Sequence, residues 1–126
     1  MKHRILVVED DPSYGELLKY WLESEGHEAI LAGTLEEGFV AIATVPLPDV
    51  VLLDIHLGNQ SGLTLVHWAR KQKHLAHLTI SAMTGLGSFK ELKSIQEAGC
   101  VTCFTKPIDF RALRDYLAGL AVHSVS

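Results

Sequence analysis

The sequence predicts an α/β fold, a doubly wound five-stranded parallel sheet with helices on both faces. Three observations carry that expectation. Short apolar runs of strand character alternate five times with stretches of helical period. The first and third runs, Ile5 to Val8 and Val50 to Asp54, are almost continuously apolar, as in parallel strands covered on both sides. The chain has 126 residues, enough for five strand–helix units forming one domain over residues 1–126.

Each element has a local reason. After the first strand, Asp11 reads as an N-cap and Pro12 as the first helical residue. Tyr14, Leu17, Leu18 and Trp21 recur at helical spacing, and Gly26 stands where a C-terminal glycine belongs. Glu28 to Ala32 is a second, weaker strand. Thr34 caps a helix carrying Leu35, Phe39 and Ile42, which Pro46 and Pro48 end. Past the third strand, Ser61 or Gly62 opens a helix with Leu65, Val66 and Ala69 on one face. Leu78 to Met83 is the fourth strand. Ser88 caps the next helix, with Phe89, Leu92 and Ile95, and Gly99 stops it. Val101 to Thr105 is the fifth strand, and Asp109 caps a last helix striped by Phe110, Leu113, Leu117 and Leu120.

Composition narrows the class. Lys plus Arg is 11 and Asp plus Glu is 15, a net charge of −4, which argues against a nucleic-acid partner. The longest apolar runs are too short to span a membrane. Glu9, Asp10 and Asp11 interrupt any signal-peptide pattern. Two cysteines make no disulfide framework, so the expected compartment is the cytoplasm.

In a doubly wound sheet, the crevice lies at the carboxyl ends of the strands. The strand ends here are Glu9-Asp10-Asp11, Asp54, Thr84 and Lys106-Pro107. Two carboxylates ~4 Å apart repel by about 4 kcal/mol at an effective dielectric near 20, so such a cluster calls for a cation. Hard carboxylate oxygens suit Mg²⁺. Lys106 suits a phosphoryl group, to which a Thr84 hydroxyl can also donate. Asp54, at the exit of the most apolar strand, can act as a nucleophile toward phosphorus. Taken singly, each acid reads more readily as a cap or a solvated loop charge than as a ligand, and Asp11 is read as the cap. Four strand ends supplying complementary groups point to phosphoryl chemistry.

The motifs Ile5-Leu6-Val7-Val8-Glu9-Asp10-Asp11, Pro48-Asp49-Val50-Val51-Leu52-Leu53-Asp54, Thr84-Gly85 and Thr105-Lys106-Pro107, in that order, resemble receiver domains of two-component response regulators. The resemblance covers essentially the whole chain. It implies the flavodoxin-like strand order 2-1-3-4-5 and Asp54 as phosphoacceptor. It also implies Mg²⁺ held by Asp10, Asp54 and the backbone carbonyl of His56, with Glu9 acting mainly through water. Lys106 would hold the phosphoryl group, with a cis bond to Pro107. The donor would be a histidine kinase or histidine phosphotransfer protein, and the target an effector outside this chain. Beyond its own phosphorylation and dephosphorylation, no enzyme activity is expected.

Two hydroxyls compete for the switch position. Thr84-Gly85 and Ser81-Ala82 both resemble the family's hydroxyl-then-small pair. Thr84 precedes Lys106 by 22 residues, the interval the family suggests, and Ser81 by 25. Thr84 is chosen, leaving Ser81 a locally bonded residue inside the fourth strand. Cys103 stands where many receivers carry an aromatic switch, and Phe104 should face the opposite side of the strand. Movement is therefore expected in loop 84–88 and the helix after it. The family's output face is the fourth helix, fifth strand and fifth helix. Here it offers Phe89, Lys90, Lys93, Glu97, Arg111, Arg114 and Asp115, mixed in sign and suited to a homodimer or an effector.

Several distractions are set aside. Cys100 and Cys103 have redox or zinc spacing, but strand positions three apart face opposite sides, so packing thiols are expected. His74 and His77 read as solvated loop residues. The resemblance implies that the His56 side chain borders the site and tunes access of water. A metal-dependent phosphohydrolase would place Asp-x-Asp after the first strand, which Val8-Glu9-Asp10-Asp11 does not offer as expected. No phosphate-binding glycine loop follows that strand either.

Overall fold

The computed structural model describes residues 2–85 and 87–120. Leu86, inside the loop expected to move, and residues 121–126 lie outside the described residues. Five strands form one parallel sheet: β1 (Arg4–Val8), β2 (Glu28–Ala32), β3 (Val50–Asp54), β4 (Thr79–Thr84) and β5 (Thr102–Thr105), in the order β2-β1-β3-β4-β5. Helices α1 (Pro12–Ser24), α2 (Leu35–Ile42), α3 (Leu63–Lys71) and α4 (Phe89–Ala98) connect them, and α5 (Phe110–Ala118) follows β5. The strand order is the 2-1-3-4-5 layout expected from the sequence.

Alternation along the strands divides the core. Leu6, Val8, Val51, Leu53, Ile80 and Ala82 face α2, α3 and α4. Ile5, Val7, Val50, Leu52 and Met83 face the opposite side, against Leu18 and Leu22 of α1 and Leu113 and Leu117 of α5. All five residues of β3 are buried, the signature of a central strand covered on both faces.

The caps follow the sequence. The Asp11 carboxylate accepts from the Ser13 and Tyr14 N–H groups, with Pro12 inside the first turn of α1. Thr34, Ser88 and Asp109 cap α2, α4 and α5 through side-chain oxygens. Gly62 occupies the cap of α3 without a side-chain bond. Gly99 ends α4 at φ 108°, a left-handed conformation that favours glycine.

Three expectations need correction. Phe89, at the first position of α4, is 85% exposed rather than part of the buried stripe; only Ile95 and Ala98 of this helix are buried. β5 starts at Thr102, with Val101 60% exposed. Cys100 therefore precedes the strand, its period does not apply, and both thiols pack on the α2–α4 side. Both remain free, and burial pushes the Cys100 thiol up to about 11, an unreactive value.

Candidate functional site

The parallel register brings the strand ends together. Val8 lies beside Leu53, Asp54 beside Met83, and Thr84 beside Thr105. Glu9 and Asp10 follow β1, Asp54 ends β3, Thr84 ends β4 and Lys106 follows β5. Carboxylate oxygens of Glu9, Asp10 and Asp54 all lie within 4.8 Å of one another.

The Glu9 side chain is wholly buried and that of Asp54 is 5% exposed. Lys106 bridges them, its Nζ 2.6 Å from Glu9 Oε1 and 3.2 Å from Asp54 Oδ2. The remaining oxygens accept backbone donors: Glu9 Oε2 from Asp11 N–H at 3.0 Å and Asp54 Oδ1 from His56 N–H at 3.0 Å. Asp10 is exposed and accepts from Gly58 N–H at 2.8 Å. Gly58, at φ 61°, turns a short hairpin pairing His56–Leu57 with Gln60–Ser61. That hairpin carries a backbone donor to the acidic cluster.

The electrostatics follow from burial. Burial raises the Glu9 pKa, and the Asp54 charge adds to it, outweighing the bonds from Lys106 and Asp11. Burial works against the Lys106 ammonium, but the bonds and charges of Glu9 and Asp54 hold its pKa above the ordinary lysine value. One lysine thus faces three clustered carboxylates, an excess of hard oxygen donors that fits a small divalent cation such as Mg²⁺.

Thr84 is fully buried, and its hydroxyl donates to Glu91 of α4. Ser81 is also buried, yet its hydroxyl pairs with the Tyr116 hydroxyl of α5 at 2.9 Å rather than locally. Ser81 is turned toward α5, whereas Thr84 ends β4 beside Thr105, and the Thr84 carbonyl accepts from Lys106 N–H at 2.8 Å. Cys103 packs on the α2–α4 side. Phe104 lies on the opposite face, as expected, edge-on to Tyr116. The Lys106–Pro107 peptide is cis. His56 projects its ring to Glu91, with Nε2 3.1 Å from Oε2. His74 and His77 are exposed.

Three residues escaped the sequence reading. The Tyr14 ring lies under Lys106 Nζ at 4.9 Å, and its hydroxyl accepts from Ile108 N–H at 2.8 Å. Gly62 is required by proximity, since a Cβ there would stand 2.3 Å from the Asp54 carbonyl oxygen. Glu91 joins Thr84 to His56. In the sequence Tyr14 reads only as part of an apolar stripe, and Gly62 only as a helix start. For Glu91, its place three residues after the cap Ser88 was the available signal.

Comparison with known proteins matches the geometry. The family model described as the response regulator receiver domain covers residues 5–118. The polar-differentiation response regulator DivK of Brucella ovis is 29% identical over 108 residues, 86% of this chain and 87% of that protein. A CheY-like response regulator receiver domain protein from Methanospirillum hungatei superposes with a TM-score of 0.84. It is 29% identical, with 94% of this chain and 92% of that one covered. The signal receiver domain of a DNA-binding response regulator from Colwellia psychrerythraea gives 0.84 at 28% identity, covering 91% and 94%. Receiver domains act in two-component signalling as switches phosphorylated on aspartate, bind Mg²⁺ at an acidic pocket, and interact with kinases and effectors. With its sheet order, its converging strand ends and that match over most of its length, this chain belongs to the response regulator receiver domain family.

Proposed function

We infer that Asp54 is the phosphoacceptor of this chain, taking its phosphoryl group from a phosphohistidine of a histidine kinase or histidine phosphotransfer protein. The observation that carries this is the near-complete burial of the Asp54 carboxylate against the Lys106 ammonium, beside two further carboxylates. Asp54 attacks phosphorus, an O–P bond forms, the P–N bond to the imidazole breaks, and the ring nitrogen keeps the electron pair. Lys106 neutralises charge on the phosphoryl oxygens, and the Thr84 hydroxyl donates to one of them. The N–H of His56 orients the carboxylate.

Asp10, Asp54 and the His56 carbonyl, with Glu9 behind them, are the groups that would hold Mg²⁺. When bound, Mg²⁺ supplies positive charge against the transferring phosphoryl group. Hydrolysis of the aspartyl phosphate resets the switch, so the chain catalyses only its own loading and unloading. Residues 1–126 act as one receiver unit in the cytoplasm. Among the described residues no helix is long and apolar enough to cross a membrane.

Output runs through the loop after β4 and the face formed by α4, β5 and α5, toward an effector or a second copy. Exposed Phe89, Leu92 and Val101 support a docking role for its α4–β5 part. Arg114 is turned elsewhere, bonded to Glu25 at 2.6 Å and lying over Trp21 of α1.

The test is incubation with Mg²⁺ and acetyl phosphate, read by intact mass. The wild type gains one acid-stable, base-labile phosphoryl group, and Asp54→Ala does not. An unmodified wild type, or a labelled Asp54→Ala, overturns the assignment.

A further inference from the structure

Two helices begin alike in sequence and differently in space. Both α2 and α4 follow a hydroxyl cap with glutamate three residues later, Thr34 with Glu37 and Ser88 with Glu91. In such a capping box, the glutamate reaches back to a backbone N–H at the helix start. Glu37 reaches back in a variant of this box: Thr34 Oγ1 accepts from Glu37 N–H at 3.0 Å, and Glu37 Oε1 accepts at 2.9 Å from the N–H of Gly33, the residue before the cap. Ser88 Oγ likewise accepts from Glu91 N–H at 3.1 Å, but the Glu91 carboxylate leaves its own helix. Oε1 takes the Thr84 hydroxyl, and Oε2 lies 3.1 Å from His56 Nε2.

Thr84 is fully buried, and a hydroxyl has one proton to donate. That proton now goes to Glu91. It cannot at the same time go to a phosphoryl group on Asp54. His56 holds the second carboxylate oxygen, which keeps Glu91 turned away from the start of α4. Cys103 lies within range of the same charge: burial raises its thiol pKa first, and Glu91 adds to the rise.

Resting on the assignment of Asp54 as phosphoacceptor, we propose that Glu91 is a positioning residue that latches the Thr84 hydroxyl in the unphosphorylated state. Phosphorylation draws the Thr84 proton to a phosphoryl oxygen and frees Glu91 to close the capping box of its own helix, as Glu37 does in α2. The two arrangements exclude one another, so the Thr84–Glu91 bond sets how readily the switch turns. A bond present in one state only shifts the balance between the two states.

The experiment is the initial rate of phosphorylation by acetyl phosphate with Mg²⁺, in the wild type and in Glu91→Ala, Glu91→Gln, Thr84→Ala and the Thr84→Ala/Glu91→Ala pair. Glu91→Ala raises the rate by roughly tenfold to a hundredfold, as expected for one hydrogen bond to a charged group lost from the resting state. Glu91→Gln gives a smaller gain, because its amide oxygen still accepts from Thr84. In the Thr84→Ala background, removing Glu91 gains nothing. An equal gain with and without Thr84 overturns the latch and leaves only repulsion by the Glu91 charge. No gain in either Glu91 variant overturns it as well. If Glu91→Ala does not fold, Glu91→Gln with and without Thr84→Ala carries the same cycle. Failure to label wild-type Asp54 overturns the phosphoacceptor assignment and the latch together, whereas labelling with a Thr84-independent effect removes the latch alone.

Discussion

The two sides of the acidic site are built differently. On the α1–α5 side, Lys106 is held by Glu9 and Asp54 and backed by the Tyr14 ring, while the Tyr14 hydroxyl fastens Ile108. Aromatic contacts close this side: Trp21 stacks on Phe110 at 4.8 Å, and Phe104 meets Tyr116 edge-on at 5.5 Å. On the α4 side, only Ile95 and Ala98 of the helix are buried. The Thr84 hydroxyl is tied to Glu91, whose carboxylate also reaches the exposed His56. The difference matches two tasks. On the proposed assignment, a lysine that neutralises phosphoryl charge has to stay where it is, whereas a hydroxyl that reports the charge has to be free to exchange partners.

That contrast can be broken most sharply in the core. Leu18→Ala in α1, at a fully buried position, lowers unfolding free energy by about 2 to 5 kcal/mol. Leu92→Ala in α4, 42% exposed, lowers it by less than about 1 kcal/mol. Urea unfolding of both variants measures the difference, and equal losses would show that α4 is as firmly held as α1.

Next is the anchored charge itself. Lys106→Ala lowers the rate of Asp54 phosphorylation by roughly a hundredfold, the worth of one preorganised charge contact. The acetyl phosphate assay reads it, and a rate near the wild type would show that Lys106 does not act on the phosphoryl group.

Gly62→Ala follows, because its Cβ would collide with the Asp54 carbonyl oxygen at 2.3 Å. Displacing backbone costs about 1 to 3 kcal/mol and shifts the end of β3 that carries Asp54. Both urea stability and the phosphorylation rate fall; unchanged values would show that the hairpin gives way freely.

The smallest effect is in the alkaline range. Lys106 is raised above 10.5, so its stabilisation is full below that pH and is lost as pH rises through the folded value. Tyr14 is raised above 10.0, chiefly by burial, and loses its contribution in the same direction. Urea midpoints therefore fall with pH in the wild type and flatten in Lys106→Met/Tyr14→Phe. An unaltered slope would place the alkaline sensitivity outside this side of the site.

Much of this molecule was legible without coordinates. Asp11-Pro12, Thr34, Ser88 and Asp109 each cap a helix where a residue-by-residue reading places it, because a cap bonds to N–H groups two or three residues away. The continuous apolar run of β3 likewise identified the central strand, and Asp54 at its end followed. Partners across the sheet were not legible in the same way. Ser81 bonds Tyr116 rather than a near neighbour, Arg114 turns to Glu25, and Cys103 packs on the same side as Cys100.

Glu91 shows where the boundary lies. Its backbone N–H does what its place after Ser88 dictates, while its carboxylate serves Thr84 and His56. By itself, the sequence determined the periodicity, the caps and the convergence of Glu9, Asp10, Asp54, Thr84 and Lys106 on one edge. These depend on bonds within a turn of chain and on the handedness of crossovers. Only the tertiary structure decided which buried donor meets which acceptor. That choice depends on distances between segments far apart in sequence, which sheet register and helix packing set.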